Sequence, residues 1–456
     1  MNYYEMLLVG KCLLKYSPES KFSFCSFNNE IEAVYCIIKE AVDGYLQSPI
    51  PLLFVDGCFA GNKTKILGAS YIDANHCIQN IGIYICGEEN INHYVLFFTL
   101  LIQAGIKEKE NVVLMTDNGK FFPKAVELTF KEYKKEGFRW CLCYEHYKRN
   151  LAHFIENEFV AVSSEERQCI FKFCEKNLYF ATRSPTKAIC DRYLNIINDR
   201  YPTVKEYMDT WGYELYRYNF EFAHFSQYSN NVAESLNSML LRPISNNKSV
   251  RESPIHNIFL RFIILTYKRM IRRLAILELR QENQEDYVPS PTFGHWVTKR
   301  VIQLGYSYIV FKSMYKVSVQ DNIVEDLFWE MDFQVDLNNN TCTCGFAEQD
   351  KHPCIHIIAL LHERKEFYRV ADLIDDCYKR ESIKNSCSRC DNWESIINDF
   401  YKKEKANYKQ FDHLRFSFWY AVTSIKRRIP SRGEEFLNGY HSLQGKKFIA
   451  NARMNK

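Results

Sequence analysis

From Pro51 onward the chain alternates short runs of β-branched and aromatic residues with turn formers: PLLFVDG, then TKILGASYID, then CIQNIGIYI, each bounded by Gly, Asn or Asp. This pattern predicts three successive strands in an antiparallel meander. The segment NINHYVLFFTLLIQAGI has apolar spacing suited to a helix closed by Gly105, and NVVLMTD at 111–117 reads as a buried strand ending in an acid. KAVELTFKEYKKEG then predicts an amphipathic helix with a basic last turn and a Gly stop, FRWCLCY a further strand, and EHYKRNLAHFIENEF a helix. The order of three strands, helix, strand, helix, strand, helix predicts an α/β fold, a meander extended by parallel βα units.

Residues 151–228 read as helical almost throughout, punctuated by Pro185 and Pro202. Another helix is expected from Ser229, then a polar loop around 244–250 and a basic amphipathic helix over 255–281 that carries Arg261, Lys268, Arg269, Arg272 and Arg273. PSPTFG at 289–294 is the clearest linker; beyond it VFKSMYKVSV and LFWEMDFQVDL alternate like a hairpin ahead of a Cys/His cluster at 342–356. The organisation expected is a lead-in of helices and a strand at 1–49, the first part of an α/β core at 50–160, a helical insertion at 161–228, the last part of the core with the basic helix at 229–285, a region holding the Cys/His cluster at 295–365 and a basic, helical tail at 366–456.

Composition narrows the class. The 456 residues are 46% hydrophobic and 15% aromatic, ample for sizeable cores, and the net charge is only +4. That balance excludes an acidic disordered chain and a uniformly basic nucleic-acid coat. Residues 401–456 nevertheless carry 13 Lys and Arg against 4 Asp and Glu, so contact with a polyanion is expected near the C-terminus, where Lys426, Arg427 and Arg428 form a basic run that also suits a nuclear address. The 17 Cys are odd in number and scattered, which fits a reduced compartment better than a disulfide scaffold. No apolar run approaches the roughly 18 residues that cross a bilayer, and no secretory pattern opens the chain, so the expectation is a soluble protein without a membrane partner.

Three carboxylates stand out. Asp56 in FVDGCF and Asp117 in LMTDNG both fall at the ends of strands, where α/β sheets place their chemistry, and the expected strand order makes those strands neighbours. Glu234, in NNVAESLNSML, lies with Asn231 and Asn237 in a polar stripe on a helix otherwise carrying Val232, Leu236 and Leu240. Acids converging from two strands and a helix can hold two divalent cations about 4 Å apart for phosphodiester chemistry. Each acid alone also has an ordinary reading, since TDNG is good turn chemistry in itself. Cys143 and His146 make half of a zinc site with no second half nearby, so they are read as packing or ordering groups beside the acids. Trp211 suits either a buried core or stacking on an extrahelical base.

Cys342, Cys344, Cys354 and His356 form Cys-x-Cys, nine residues, Cys-x-His: two ligand pairs, three thiolates and an imidazole, suited to a closed tetrahedral zinc in a small ββα-like module. His352 competes but lacks a partner at pair spacing. Cys387 and Cys390 form a further Cys-x-x-Cys with only Cys377 and His413 as loose companions.

The element order matches a ribonuclease H-like sheet, and the segments FVDGCF, MTDNGKFFPKAVE, CLCYEHYKRNLAHF and NNVAESLNSM resemble, in that order, those of Mutator-like transposases. Asp56 with Gly57, Asp117 with Ala125 and Val126, Cys143 and His146 followed by Arg149 and Asn150, and Asn231, Glu234, Ser235 and Asn237 match the family's motifs, over a resemblance spanning about residues 20–365. The cysteine module is similar to the SWIM zinc finger that commonly follows this catalytic domain. Two departures are Cys58, where the family commonly has Thr, and the pair Tyr94 and Leu96 after Glu89, where it has two aromatics. The resemblance implies a ribonuclease H-like fold with an all-helical insertion, an Asp-Asp-Glu triad binding Mg²⁺ or Mn²⁺, Zn²⁺ in the finger, cleavage and strand transfer at terminal inverted repeats of double-stranded DNA, and a dimer or larger. It also implies a DNA-binding domain ahead of the core, for which the 50 or so residues before Asp56 hold no Cys/His cluster. Two other readings stay open: a domesticated, catalytically silent DNA-binding regulator, and a plain nuclease sharing the metal site.

Overall fold

Alternate residues of the strand that carries Asp56 enter different cores: Leu53 and Val55 pack on one side of the sheet, Leu52 and Phe54 on the other. The two-residue period of a strand sends successive side chains to opposite faces, so a strand covered on both faces is apolar throughout. The computed structural model describes residues 3–27, 30–60, 64–87, 89–117, 119–130, 138–211, 215–219, 225–241, 255, 258, 259, 261–267, 269, 270, 294–379, 382 and 385.

A seven-stranded mixed sheet forms the centre, in the order β1-β2-β5-β4-β3-β6-β7. Its strands are β1 (Lys21–Phe27), β2 (Glu30–Ile37), β3 (Leu52–Ala60), β4 (Thr64–Ile72), β5 (Ile78–Cys86), β6 (Val113–Thr116) and β7 (Arg139–Leu142). From β1 to β3 every pairing is antiparallel, whereas β3–β6 and β6–β7 are parallel. The expected meander and the expected adjacency of the first and fourth core strands are both present. The lead-in holds its expected helices, α1 (Tyr3–Tyr16) and α2 (Lys39–Gln47), but a hairpin in place of a single strand: β1–β2 extends the sheet at the β5 edge.

On the first face, α3 (Ile91–Gln103) and α4 (Phe122–Phe130) pack through Phe97, Phe98, Phe122 and Phe130, joined by Phe259, Phe262 and Tyr267 from the later helical stretch. A separate helical core is built from α5 (Tyr144–Glu158), α6 (Ser164–Arg183), α7 (Lys187–Arg200) and α8 (Pro202–Asp209). Ser163 opens α6 with a capping box, its hydroxyl accepting from Glu166 N–H while the Glu166 carboxylate accepts from Ser163 N–H.

The helix α9 (Asn231–Leu241) straddles both faces: Val232 and Ala233 enter the second core, Leu236 and Leu240 the first. Gly68 on β4 permits this close approach, since a Cβ there would lie 2.9 Å from Leu236 Cδ2. The C-terminal region covers the second face. It comprises a helix, His295–Val310, a four-stranded antiparallel sheet β11-β10-β9-β8 and the helices Phe346–Asp350 and Ile355–Glu363. Its strands are β8 (Tyr315–Ser318), β9 (Ile323–Asp326), β10 (Met331–Asp336) and β11 (Thr341–Cys342). Ile357, Ile358 and Leu361 share one core with Leu52, Phe54, Val113 and Met115, so the cysteine module and the main sheet bury each other. Among the described residues no helix is long and apolar enough to cross a membrane. The first residues of the expected tail form two short 3₁₀ turns, Phe367–Leu373 and Asp376–Tyr378, that pack Val370, Leu373 and Tyr378 into the second core. Lys426, Arg427 and Arg428 lie outside the described residues, as do Cys387, Cys390 and His413.

Candidate active site and zinc centre

Asp56 and Asp117 meet because β3 and β6 run side by side in parallel: Asp117 directly follows β6 as expected, whereas Asp56 lies in the middle of β3 rather than at its end, level with Asp117 because the shorter β6 stops there. Asp56 is 4% exposed. Asn237 Nδ2 donates to its Oδ2 at 2.9 Å, while Oδ1 is buried without a hydrogen-bond partner. Burial, then the neighbouring Asp117 charge, pushes the Asp56 carboxyl up to about 7. Asp117 Oδ1 accepts from Gly119 N–H at 2.9 Å, and burial holds this acid above the ordinary carboxylate range although His146 opposes the shift. Two like charges in a dry site with an unpaired oxygen form a place that a cation would stabilise.

Among the described residues, the third metal-ligating side chain grouped with this pair is an imidazole. Donor atoms of Asp56, Asp117 and His146 all lie within 4.8 Å of one another. Glu234 stands one step outward: its Oε1 accepts from Arg149 Nη2 at 2.8 Å and lies 3.6 Å from His146 Nε2. Its charge still raises the Asp56 pKa, so it belongs to the same electrostatic neighbourhood.

Cys143 and His146 divide their labour. Cys143 is buried at the start of α5, and its sulfur accepts from the Asn230 backbone N–H at 3.0 Å. Burial pushes the thiol up to about 11, which keeps it a neutral anchor rather than a thiolate. Asn230 then reaches back, donating from Nδ2 to Val55 O at 2.8 Å. The sequence pattern pointed to Asn231, yet Asn231 is exposed and Asn230 is wholly buried. At about 100° per residue, positions 231 and 237 stand about 120° apart around the helix, so only one of them can face inward, and Asn237 does. Lys65, unremarked in the sequence, lies 2.8 Å from Glu89, and its charge also acts on Asp117. Tyr94, buried, donates to Glu89, whereas Leu96 is exposed.

Two DNA-contact candidates have other places. Trp211 is buried in the helical core, its ring 4.0 Å from Tyr147 and 5.0 Å from Tyr207 in edge contacts, which leaves no face for a base. Arg269 donates to Asn80 Oδ1 at 2.8 Å and ties its helix to β5; burial lowers it to about 10. Arg261 is partly buried, and Lys268, Arg272 and Arg273 lie outside the described residues.

The second cluster is built on a sharp turn. Cys342 ends β11, Gly345 takes a left-handed φ of 67° just after Cys344, and Gly345 N–H returns to Cys342 O at 2.7 Å. Cys354 caps Ile355–Glu363 and His356 lies in its first turn. All four side chains are buried with their donor atoms within 4.8 Å of one another. His356 Nδ1 lies 3.6 Å from Cys342 Sγ and 4.0 Å from Cys354 Sγ. A tetrahedral zinc with bonds of about 2.0–2.3 Å sets donor separations near 3.5–3.8 Å, so the cluster fits that ion closely. The other ring nitrogen, Nε2, is 3.0 Å from Asp326 Oδ2, and Phe333 stacks on the ring at 4.2 Å. His352 faces elsewhere, with Nδ1 donating to Pro353 O at 3.0 Å.

The profile of the Mutator family of transposases matches residues 52–269, and that of the SWIM zinc finger matches residues 315–365. The chain carries a Mutator-family transposase domain followed by a SWIM zinc finger. The transposase match holds Asp56, Asp117, His146 and Glu234, and the finger match holds all four residues of the Cys₃His cluster, supporting Zn²⁺ there. No curated protein matches the chain. The transposase domain implies DNA as the partner.

Proposed function

We propose that the protein is a ribonuclease H-like DNA transposase that cuts double-stranded DNA at terminal inverted repeats and joins the freed 3′-hydroxyl to a target. The observation that carries this reading is the pair Asp56, mid-way along β3, and Asp117, just past the end of the adjacent parallel β6, with a buried carboxylate oxygen lacking a partner. The strand order β5-β4-β3-β6-β7, antiparallel and then parallel, supports the fold assignment.

Asp56, Asp117 and Glu234 would hold Mg²⁺ or Mn²⁺, which when bound activates the attacking oxygen and stabilises the leaving one. The residues fit: two acids held above their ordinary pKa by burial gain most from a dication. Asn237 orients the Asp56 carboxylate, and Gly119 N–H orients that of Asp117. Arg149, half exposed beside Glu234, is suited to a phosphate of the bound strand. A nuclear location and an assembly of two or more copies belong to the same reading, because two DNA ends must be brought together.

The test is strand cleavage and joining on the DNA flanking this gene, in Mg²⁺ and in Mn²⁺, with wild type, Asp117→Asn and Glu234→Gln. Joined products from the wild type and none from either variant, with DNA affinity nearly unchanged, are expected. Cleavage without joining would turn the reading into a nuclease, and tight binding without cleavage in either metal would turn it into a regulator.

A further inference from the structure

The donor set beside the two aspartates contains a nitrogen. Asp56 and Asp117 supply carboxylate oxygens and His146 a ring nitrogen, all within 4.8 Å, while Glu234 is engaged by Arg149 at 2.8 Å. Octahedral divalent sites place neighbouring donors about 3.0 Å apart and opposite donors about 4.2 Å apart, so small rotations of these side chains suffice to close on an ion. Two buried atoms point to that closure: Asp56 Oδ1 and His146 Nδ1 both lack a hydrogen-bond partner. The position of His146 is fixed by the fold, since Cys143 at the start of the same helix is bonded to Asn230, the residue that precedes α9.

We propose that His146 is a ligand of the first divalent ion, so that Asp56, Asp117 and His146 seat one cation before Glu234 is released from Arg149, and that this site selects Mn²⁺ over Mg²⁺. This rests on the metal-dependent reading of the same site given above. Imidazole is a poor donor for Mg²⁺, which prefers oxygen and water, and a better one for the later divalent ions of the first transition row. Two carboxylates and a neutral imidazole also balance the charge of one dication without Glu234. The exposed Arg149–Glu234 pair then holds the remaining carboxylate until a DNA phosphate competes for the guanidinium.

The experiment uses the full, zinc-loaded chain with Mn²⁺ as probe. Free Mn²⁺ is followed by its electron paramagnetic resonance signal, bound Mn²⁺ by electron spin-echo modulation from a coordinated imidazole nitrogen, and Mg²⁺ by its ability to displace Mn²⁺. The wild type is expected to bind Mn²⁺ with a histidine nitrogen signal and to require about tenfold or more Mg²⁺ for displacement. His146→Gln, which keeps a polar side chain of similar reach, is expected to lose the nitrogen signal and to bind Mn²⁺ about 10–100-fold more weakly, at least the cost of losing an outer-shell partner. Its Mg²⁺ affinity should change much less. His153→Gln, on the exposed face of the same helix, should alter nothing. Failure of the wild type to bind Mn²⁺, bound Mn²⁺ without a nitrogen signal, or a signal that survives in His146→Gln would each overturn the proposal. A nitrogen signal in a protein that never cleaves DNA would leave this site standing and remove the transposase reading; cleavage without the nitrogen signal would do the reverse.

Discussion

Ser226 donates its backbone N–H to the Asp350 carboxylate at 2.8 Å, and this bond ties the approach to α9 to the zinc finger. Phe225 N–H adds a second tie, to Gln349 O at 3.0 Å. A few residues on, the same segment is fastened to the start of α5: Tyr144 N–H donates to Tyr228 O, and Asn230 N–H to Cys143 Sγ, each at 3.0 Å. Residues 225–230 therefore run as a strap between the finger and the helix that carries Glu234 and Asn237.

Cutting the strap at the finger end is expected to weaken the active site while leaving zinc bound. Asp350→Ala removes the acceptor of the partly buried Ser226 N–H, at a cost of about 1 kcal/mol. Cleavage should fall, zinc content should stay at wild-type level, and Asp350→Asn, which can still accept, should recover most of the activity. Full cleavage by Asp350→Ala would show that the strap does not position α9.

Zinc removal should reach further than the finger. Ile357, Ile358 and Leu361 share one hydrophobic core with Leu52, Phe54, Val113 and Met115 on the second face of the main sheet. Each such side chain uncovered costs about 1.5–3 kcal/mol. With Cys354→Ser, or after chelation, hydrogen exchange is expected to speed up over residues 315–365 and also in β3 and β6. Exchange in β3 that stays slow would mean that the two parts are stable independently.

Much of this was legible in the sequence wherever the pattern was local. The three core strands, the parallel β6 and β7 and the helices between them follow from two-residue and 3.6-residue periods bounded by Gly and Asp, and the Cys₃His cluster from its pair spacing. The β1–β2 hairpin was not legible, because what makes Phe22 and Phe24 a sheet edge is pairing with the distant β5 through β2. Trp211 could not be assigned either, since its enclosure depends on Tyr147 and Tyr207 arriving from two other helices. In the candidate site the sequence pointed to the acids, but the closeness of His146 to both aspartates and the hold of Arg149 on Glu234 arise from how α5 and α9 pack.

Asp326 is expected to set the zinc affinity of the finger. With Nδ1 turned to the thiolates, His356 carries its proton on Nε2 and donates it to Asp326 Oδ2 at 3.0 Å. Such a partner fixes the tautomer and the ring orientation, and its loss typically costs 10–100-fold in metal affinity. Asp326→Asn should show that loss in competition with a chromophoric chelator while Phe333 keeps the ring stacked. An unchanged affinity would mean that packing alone orients the imidazole.

The buried acid at position 56 should make the metal-free protein less stable as pH rises. Its carboxyl stands at about 7 in the folded chain, against 3.8 for an ordinary Asp. Between those values the folded protein keeps a proton that the unfolded chain has given up, so stability falls from about pH 4 and the loss is complete above about pH 7. At about 1.4 kcal/mol per unit, the full effect is on the order of 4 kcal/mol. Asp56→Asn removes the titration and keeps an oxygen for Asn237 to donate to. Without divalent ions it should melt well above the wild type at pH 8 and close to it at pH 4. Adding Mn²⁺ at pH 8 should raise the wild type and leave the variant nearly unmoved, because binding to the folded state alone stabilises it. A variant that melts below the wild type at pH 8 would show that the carboxylate is already compensated in the metal-free protein, leaving a cation little to relieve.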